Sequence, residues 1–284
     1  MTHQQSAARP AARQHAPLPR EHGAWGLVLQ PFAAAAVLTQ FWSWLLVVAL
    51  VLVILGLAIK EPLVVLARQR WVWRQPNPLT PAAARWLAAE VAGIAVCLAL
   101  LVPRVPPIAL AALSGAAVLL TLLAVWFTVK NKQRSVSLQL LSAAGLSSSA
   151  LLVVLLSEKS LPGWAWLLWA VLTVHAGASI MVVHARLRLK AAGRNDVARG
   201  PRRTAFVAQA FQILVAGLFL IALSNPALSL PLLFSALWNT GELLRLPSPG
   251  VLQEPLKRVG YRALALSIAH TILVMVVFWG AASS

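Results

Sequence analysis

The chain has 284 residues, 60% of them hydrophobic and only 11% charged, with a mean hydropathy of +0.78. A soluble domain is nearer half apolar and a quarter charged, so the composition excludes a fold solvated by water alone. The net charge of +17 raises nucleic acid as a partner, but the basic residues lie between apolar runs, where membrane loops collect Lys and Arg, and no nucleic-acid-binding motif accompanies them.

Residues 1–18 are polar and rich in Ala, Gln and Pro, which predicts a disordered arm. Residues 19–284 are expected to form a single transmembrane domain. A bilayer core takes about 20 apolar residues per helix, and nine runs qualify: 24–41, 43–59, 83–102, 107–127, 136–156, 162–184, 204–223, 227–244 and 262–281. The first and eighth are the weakest, because Gln30-Pro31 interrupts one and Pro231 sits early in the other. The predicted fold is therefore all-α, a polytopic bundle of about nine spans. Trp42, Trp44, Trp164, Trp166 and Trp238 fall near proposed span ends, where interfacial aromatics anchor helices. The one cysteine, Cys97, lies inside an apolar run, which excludes an intrachain disulfide and a Cys-rich metal site.

All of the 24 Lys and Arg except Arg104 and Lys159 fall in the N-terminal arm, in alternate gaps between these runs, or, for Arg85 and Arg262, at the start of the run that follows such a gap. The positive-inside bias then places the N-terminus in the cytoplasm and the C-terminus outside. A competing reading of the start is a signal peptide, with a basic arm, an apolar run and Ala33-Ala34-Ala35-Ala36 as the small-residue site; the polar Gln30-Pro31 argues against it.

Acidic residues are scarce, so each is informative. In chain order, Arg20-Glu21-His22 places three ionisable groups before the first span, and Glu21 and His22 are acid–base candidates. The end of the second span reads Lys60-Glu61-Pro62, followed by Arg68, Gln69, Arg70, Trp71, Val72, Trp73 and Arg74. If helix continues past Pro62, Lys60, Val64 and Arg68 share a face. Lys60, Glu61 and Arg68 thus become candidates for an anion-binding edge, with ordinary positive-inside decoration as the alternative, preferred for Arg74. Glu90 is an intramembrane carboxyl that must pair or face a cavity. Lys130 and Arg134 occupy a compact basic connection. The sixth span carries His175, and His175, Ser179, Val182 and Arg186 fall on one stripe, with His184 and Arg188 on a second. His184 joins the acid–base candidates, and Arg186 and Arg188 the anion-binding ones. The nine-residue spacing of His175 and His184 argues against a metal pair, and no metal site is expected. Glu242 shares a face with Asn239 and Arg245 and is expected to pair locally with Arg245. Gln139, Gln209, Gln212 and His270 are isolated polar groups expected to tie helices together.

At Arg20-Glu21-His22-Gly23-Ala24-Trp25, before a hydrophobic span, the chain resembles the YwiC-like family of bacterial membrane proteins. That resemblance implies a multi-pass protein of the bacterial cytoplasmic membrane, and it implies no reaction or cofactor. A looser resemblance, in span number and in polar clusters after spans two and six, is to the UbiA superfamily of intramembrane prenyltransferases. Those enzymes hold Mg²⁺ and a prenyl diphosphate on paired Asp in these connections, whereas this chain has only Glu61 in the first and Asp196 in the second. The leading functional expectation is a cytoplasm-facing site that binds or modifies an anionic or phosphorylated isoprenoid or lipid, held by Arg and Lys directly. The first alternative is a transporter lined by Glu90, His175, Gln209, Gln212 and His270. A non-catalytic assembly factor is the second.

Overall fold

The described residues of each of the nine apolar runs fall mostly in helix in the computed structural model, which describes residues 22–74, 78–133, 135–192, 199–222, 226–246, 248, 250 and 254–282. The expected arm of residues 1–18 lies outside them. The helices are α1 (His22–Thr39), α2 (Trp44–Ala58), α3 (Lys60–Arg68), α4 (Thr80–Leu101), α5 (Pro107–Val129), α6 (Val136–Ser147), α7 (Ser149–Glu158), α8 (Gly163–Ala192), α9 (Arg199–Ala222), α10 (Leu230–Arg245) and α11 (Leu256–Ala282). No strand occurs among the described residues.

Seven stretches are long and apolar enough to cross a membrane: Trp44–Trp73, Thr80–Arg104, Pro107–Val129, Val136–Glu158, Gly163–Ala191, Gly200–Ala222 and Lys257–Gly280. The chain is thus a multi-pass membrane protein. The two runs that fall short are the two weakest in sequence. The apolar part of α1, Trp25–Thr39, is shorter, and α10 has 16 residues.

Two runs depart from a plain helix for local reasons. The second run continues through Pro62 into α3 and then a wide π-turn, Gln69–Trp73. Pro62 has no N–H to return to Ala58, and the helix is interrupted at Ile59 but resumes at once. The fifth run divides at Ser148, whose hydroxyl donates to the Gly145 carbonyl at 2.6 Å, and Ser149 Oγ donates to Val28 O of α1 at 2.9 Å. Serine hydroxyls competing for backbone carbonyls interrupt helices in this way.

The second half of that run, α7, is the centre of the molecule. Ala150 to Leu156 are buried on every face, as expected of a helix that is apolar all round. α1 packs along α7 through Phe32, Ala35, Ala36 and Leu38, and the same apolar core takes in Ala49 of α2, Leu168 and Val171 of α8, Leu232 of α10 and Val274 and Phe278 of α11. Helices α4 and α5 lie at the periphery and expose Val91, Val96, Val118, Leu119 and Leu122. With no hydrophobic gain from packing in lipid, close approach matters. Gly145 of α6 lies under the Leu120 side chain with no room for a methyl group in the present rotamer.

Candidate functional site

The described sequence-predicted residues lie in several places, two of them at the charge-rich helix ends.

The first place is the junction of α3 and α5. Arg68 Nη2 donates to Thr128 O at 3.1 Å and to Asn131 Oδ1 at 3.4 Å. Thr128 is in the last turn of α5, where carbonyls lack intrahelical donors, so Arg68 serves as a helix C-terminal cap from a neighbouring helix. Trp71 meets Trp126 edge to face at 6.3 Å, and Lys130 Nζ lies 5.0 Å over the Trp126 ring. Helix α3 runs into the Gln69–Trp73 π-turn, closed by Arg74 in the left-handed conformation (φ 54°), whose N–H bonds Gln69 O at 3.2 Å. This turn aligns Gln69, Arg70, Trp71 and Arg74 around an open cavity of about 640 Å³. Gln69 Oε1 is occupied by the Thr80 hydroxyl at 3.1 Å. Among the described residues no carboxylate pairs with Arg70 or Arg74.

The second place is an ionic cluster at the ends of α8, α10 and α11. Arg186 is buried and reaches Glu254 at 2.7 Å and Glu242 at 3.7 Å. Arg262 reaches the same two carboxylates, at 2.7 Å and 3.3 Å, and Lys190 Nζ donates to Glu254 O at 3.5 Å. The expected Glu242–Arg245 pair does not form. Arg245 is exposed, and Glu242 turns to α8 and α11 because a buried guanidinium there needs it more. Glu254 lies outside the spans, and its carboxyl is held below the usual range, first by the Arg186 hydrogen bond and further by the charges of Arg262 and Arg186. Arg186 is therefore committed to carboxylates of its own chain. Arg188, two residues on, is exposed.

The other candidates are apart from both. His184 Nε2 donates to Gln139 Oε1 of α6 at 2.6 Å. Lys60 and Glu61 are 4.0 Å apart. Glu90 is buried in α4, and its Oε2 has no hydrogen-bond partner among the described residues. Glu21 and Arg134 lie outside the described residues, and His22 is described only as the first residue of α1.

Inside the membrane the polar residues do tie helices together. Gln209 Nε2 donates to Ala178 O of α8 at 3.1 Å, and Gln212 Nε2 to Leu232 O of α10 at 3.0 Å and to the Ser235 hydroxyl. Asn239 bonds Ser179 at 3.3 Å. His175 and His270 stack on one another. Two groupings stand out only in the fold. Arg70 and Arg74 were overshadowed by Lys60 and Arg68, although the interleaving of Arg with Trp71 and Trp73 was visible. Glu254 is one of seven acidic residues in the sequence, and its partners come from helices that only the fold brings together.

Residues 18–154 match the model of the YwiC-like protein family. The α3–α5 junction lies within that region, whereas the ionic cluster and the His175–His270 pair lie outside it. No curated protein and no solved structure matches the chain.

Proposed function

From the match of residues 18–154 to the YwiC-like family model and the geometry above, we propose that this chain binds the head group of a phosphorylated isoprenoid or other anionic membrane lipid at the α3–α5 junction. The charge asymmetry makes this face cytoplasmic. The observation that carries the reading is the open cavity walled by Arg70, Trp71 and Arg74, with no carboxylate against either guanidinium among the described residues. Elsewhere the same chain neutralises its Arg with Glu, as at Arg186.

The chemistry suits a phosphate. A guanidinium presents donors in a planar fork that matches phosphate oxygens, and charge-assisted bonds of this kind are the strong ones. Trp71 and Trp126 suit the junction to the head-group region, where tryptophans anchor helices, and Lys130 lies over Trp126. Arg68 holds the two helices together rather than the ligand. The tails of a bound lipid would then lie along the exposed apolar faces of α4 and α5.

Quenching of tryptophan fluorescence by brominated lipids, with the full chain in nanodiscs, tests the reading. Vesicle lipids of phosphatidylcholine alone, with added phosphatidic acid, and with added polyprenyl phosphate form the three arms. Saturable quenching in the last two and not the first supports phosphate recognition. A preference for the polyprenyl arm identifies the isoprenoid. Equal, unsaturable quenching in all three overturns it.

A further inference from the structure

His175 of α8 and His270 of α11 are stacked, with ring centroids 3.8 Å apart and planes 10° from parallel. Both are deeply buried, at 4% and 0% exposure, and both lie near the middle of helices that span the membrane. An intramembrane ionisable side chain is costly, and a pair of them carries a functional expectation unless structure uses both rings.

Structure uses one nitrogen. His270 Nδ1 lies 3.0 Å from Pro231 O, and a carbonyl only accepts, so Nδ1 carries the hydrogen. In the neutral ring Nε2 is then a bare lone pair, and it is buried with no donor aimed at it among the described residues. His175 Nδ1 is also buried without a partner. Ser147 Oγ, across from them on α6, is a third such atom.

Ser147 and His175 line a small, mainly apolar cavity next to the stack. Its walls include Gly26 and Gln30 of α1, Ser147, His175, and Ser267 and Thr271 of α11, and it measures about 10 Å³, the room of one water. Gln30 Oε1 accepts from Ser267 Oγ at 2.5 Å on one wall. On α1 the cavity is lined by Gly26, Leu27, Gln30 and Pro31.

We propose that the His175–His270 stack is a binding site for one proton in the membrane interior, beside the cavity on its α1 side. A hydronium ion gives its proton to the lone pair of His270 Nε2, an N–H bond forms, and water is left behind. The imidazolium then lies against a neutral imidazole face, the cation–π arrangement, and its Nδ1–H bond to Pro231 O becomes charge-assisted. A second proton is refused, because two like charges so close in low dielectric repel strongly.

No fixed charge competes at this level. The neighbouring elements present Gln30 (α1), Ser147 (α6), Ser149 (α7), Gln209 and Gln212 (α9), Ser229 (the turn before α10) and Ser235 (α10), all neutral. The nearest charges along the two helices are Arg186 and Arg262, about three and two turns away, and both are neutralised by Glu242 and Glu254.

The test is solid-state NMR of the full chain, labelled with ¹⁵N-histidine, in lipid bilayers on acidification. His270→Asn keeps an amide donor for Pro231 and has no basic nitrogen. His175→Phe keeps a ring in the stack and lacks the second base. The expected result is one imidazolium from the pair before the fold is lost, absent in His270→Asn and retained in His175→Phe. Two imidazoliums, none, or a signal unchanged in His270→Asn would overturn the proposal. If His270→Asn fails to fold, the wild-type count and the His175→Phe spectrum decide it alone.

Discussion

Arg186 and Glu254 meet at 2.7 Å across 68 residues of chain, and with Glu242 and Arg262 they join the ends of α8, α10 and α11. Removing one member of such a group leaves the others unbalanced in a buried place. Arg186→Gln is expected to destabilise the bundle by about 3 kcal/mol or more, read as a fall in the unfolding midpoint in detergent. Arg186→Lys keeps the charge but loses the fork, and its loss is expected to be smaller.

The same cluster makes stability depend on pH. Glu254 is depressed in the folded state by Arg186 and Arg262. Its contribution is therefore fully present above its unfolded value, near 4.5, and is lost as pH falls through the lower folded value. Unfolding midpoints followed from neutral to acid pH are expected to fall in the wild type, and Glu254→Gln is expected to be less stable at neutral pH with a flatter acid limb. Equal slopes in the two proteins would remove Glu254 from the account.

Much of this arrangement was legible from spacing. The stripe His175, Ser179, Arg186 on α8 does face α10 and α11, where it meets His270, Asn239, Glu242 and Glu254. His184, on the other stripe, turns to Gln139 of α6. Helical period determines which residues share a face, and so these groupings could be read. It does not determine which helix covers that face, and so spacing pairs Glu242 with its sequence neighbour Arg245 and gives Glu254 no partner. Likewise Arg68 and Arg70 differ little in sequence context. Only the proximity of the α5 terminus separates the guanidinium that caps a helix from the one that faces an open cavity.

Gln212 ties α9 to α10 through Leu232 O and the Ser235 hydroxyl. Interhelical hydrogen bonds in membranes are modest, so Gln212→Leu is expected to cost about 1 kcal/mol. Steric trapping in bicelles measures it. A cost several times larger would mean that the Gln212 side chain has a role beyond joining these two helices.

Arg68 and the pair Arg70 and Arg74 are expected to separate by phenotype. Arg68→Gln removes the interhelical donor to Thr128 O, which keeps its bond from Asn131 N–H, and weakens α3–α5 packing by about 1–2 kcal/mol, seen as faster hydrogen exchange at the end of α5. Lipid retention should change little in that variant. A loss of lipid without a loss of stability would move Arg68 from the scaffold to the binding surface.

The most direct measurement of the central claim is native mass spectrometry of the full chain released from nanodiscs containing polyprenyl phosphate and phosphatidic acid. Arg70→Gln/Arg74→Gln is compared with Arg202→Gln/Arg203→Gln, which removes the same charge from α9. Two charge-assisted bonds predict that the first variant loses retained phospholipid or polyprenyl phosphate by about tenfold or more, and that the second stays near wild type. Equal losses in both would contradict a site at the α3–α5 junction and leave only the general attraction of a basic face for an anionic membrane.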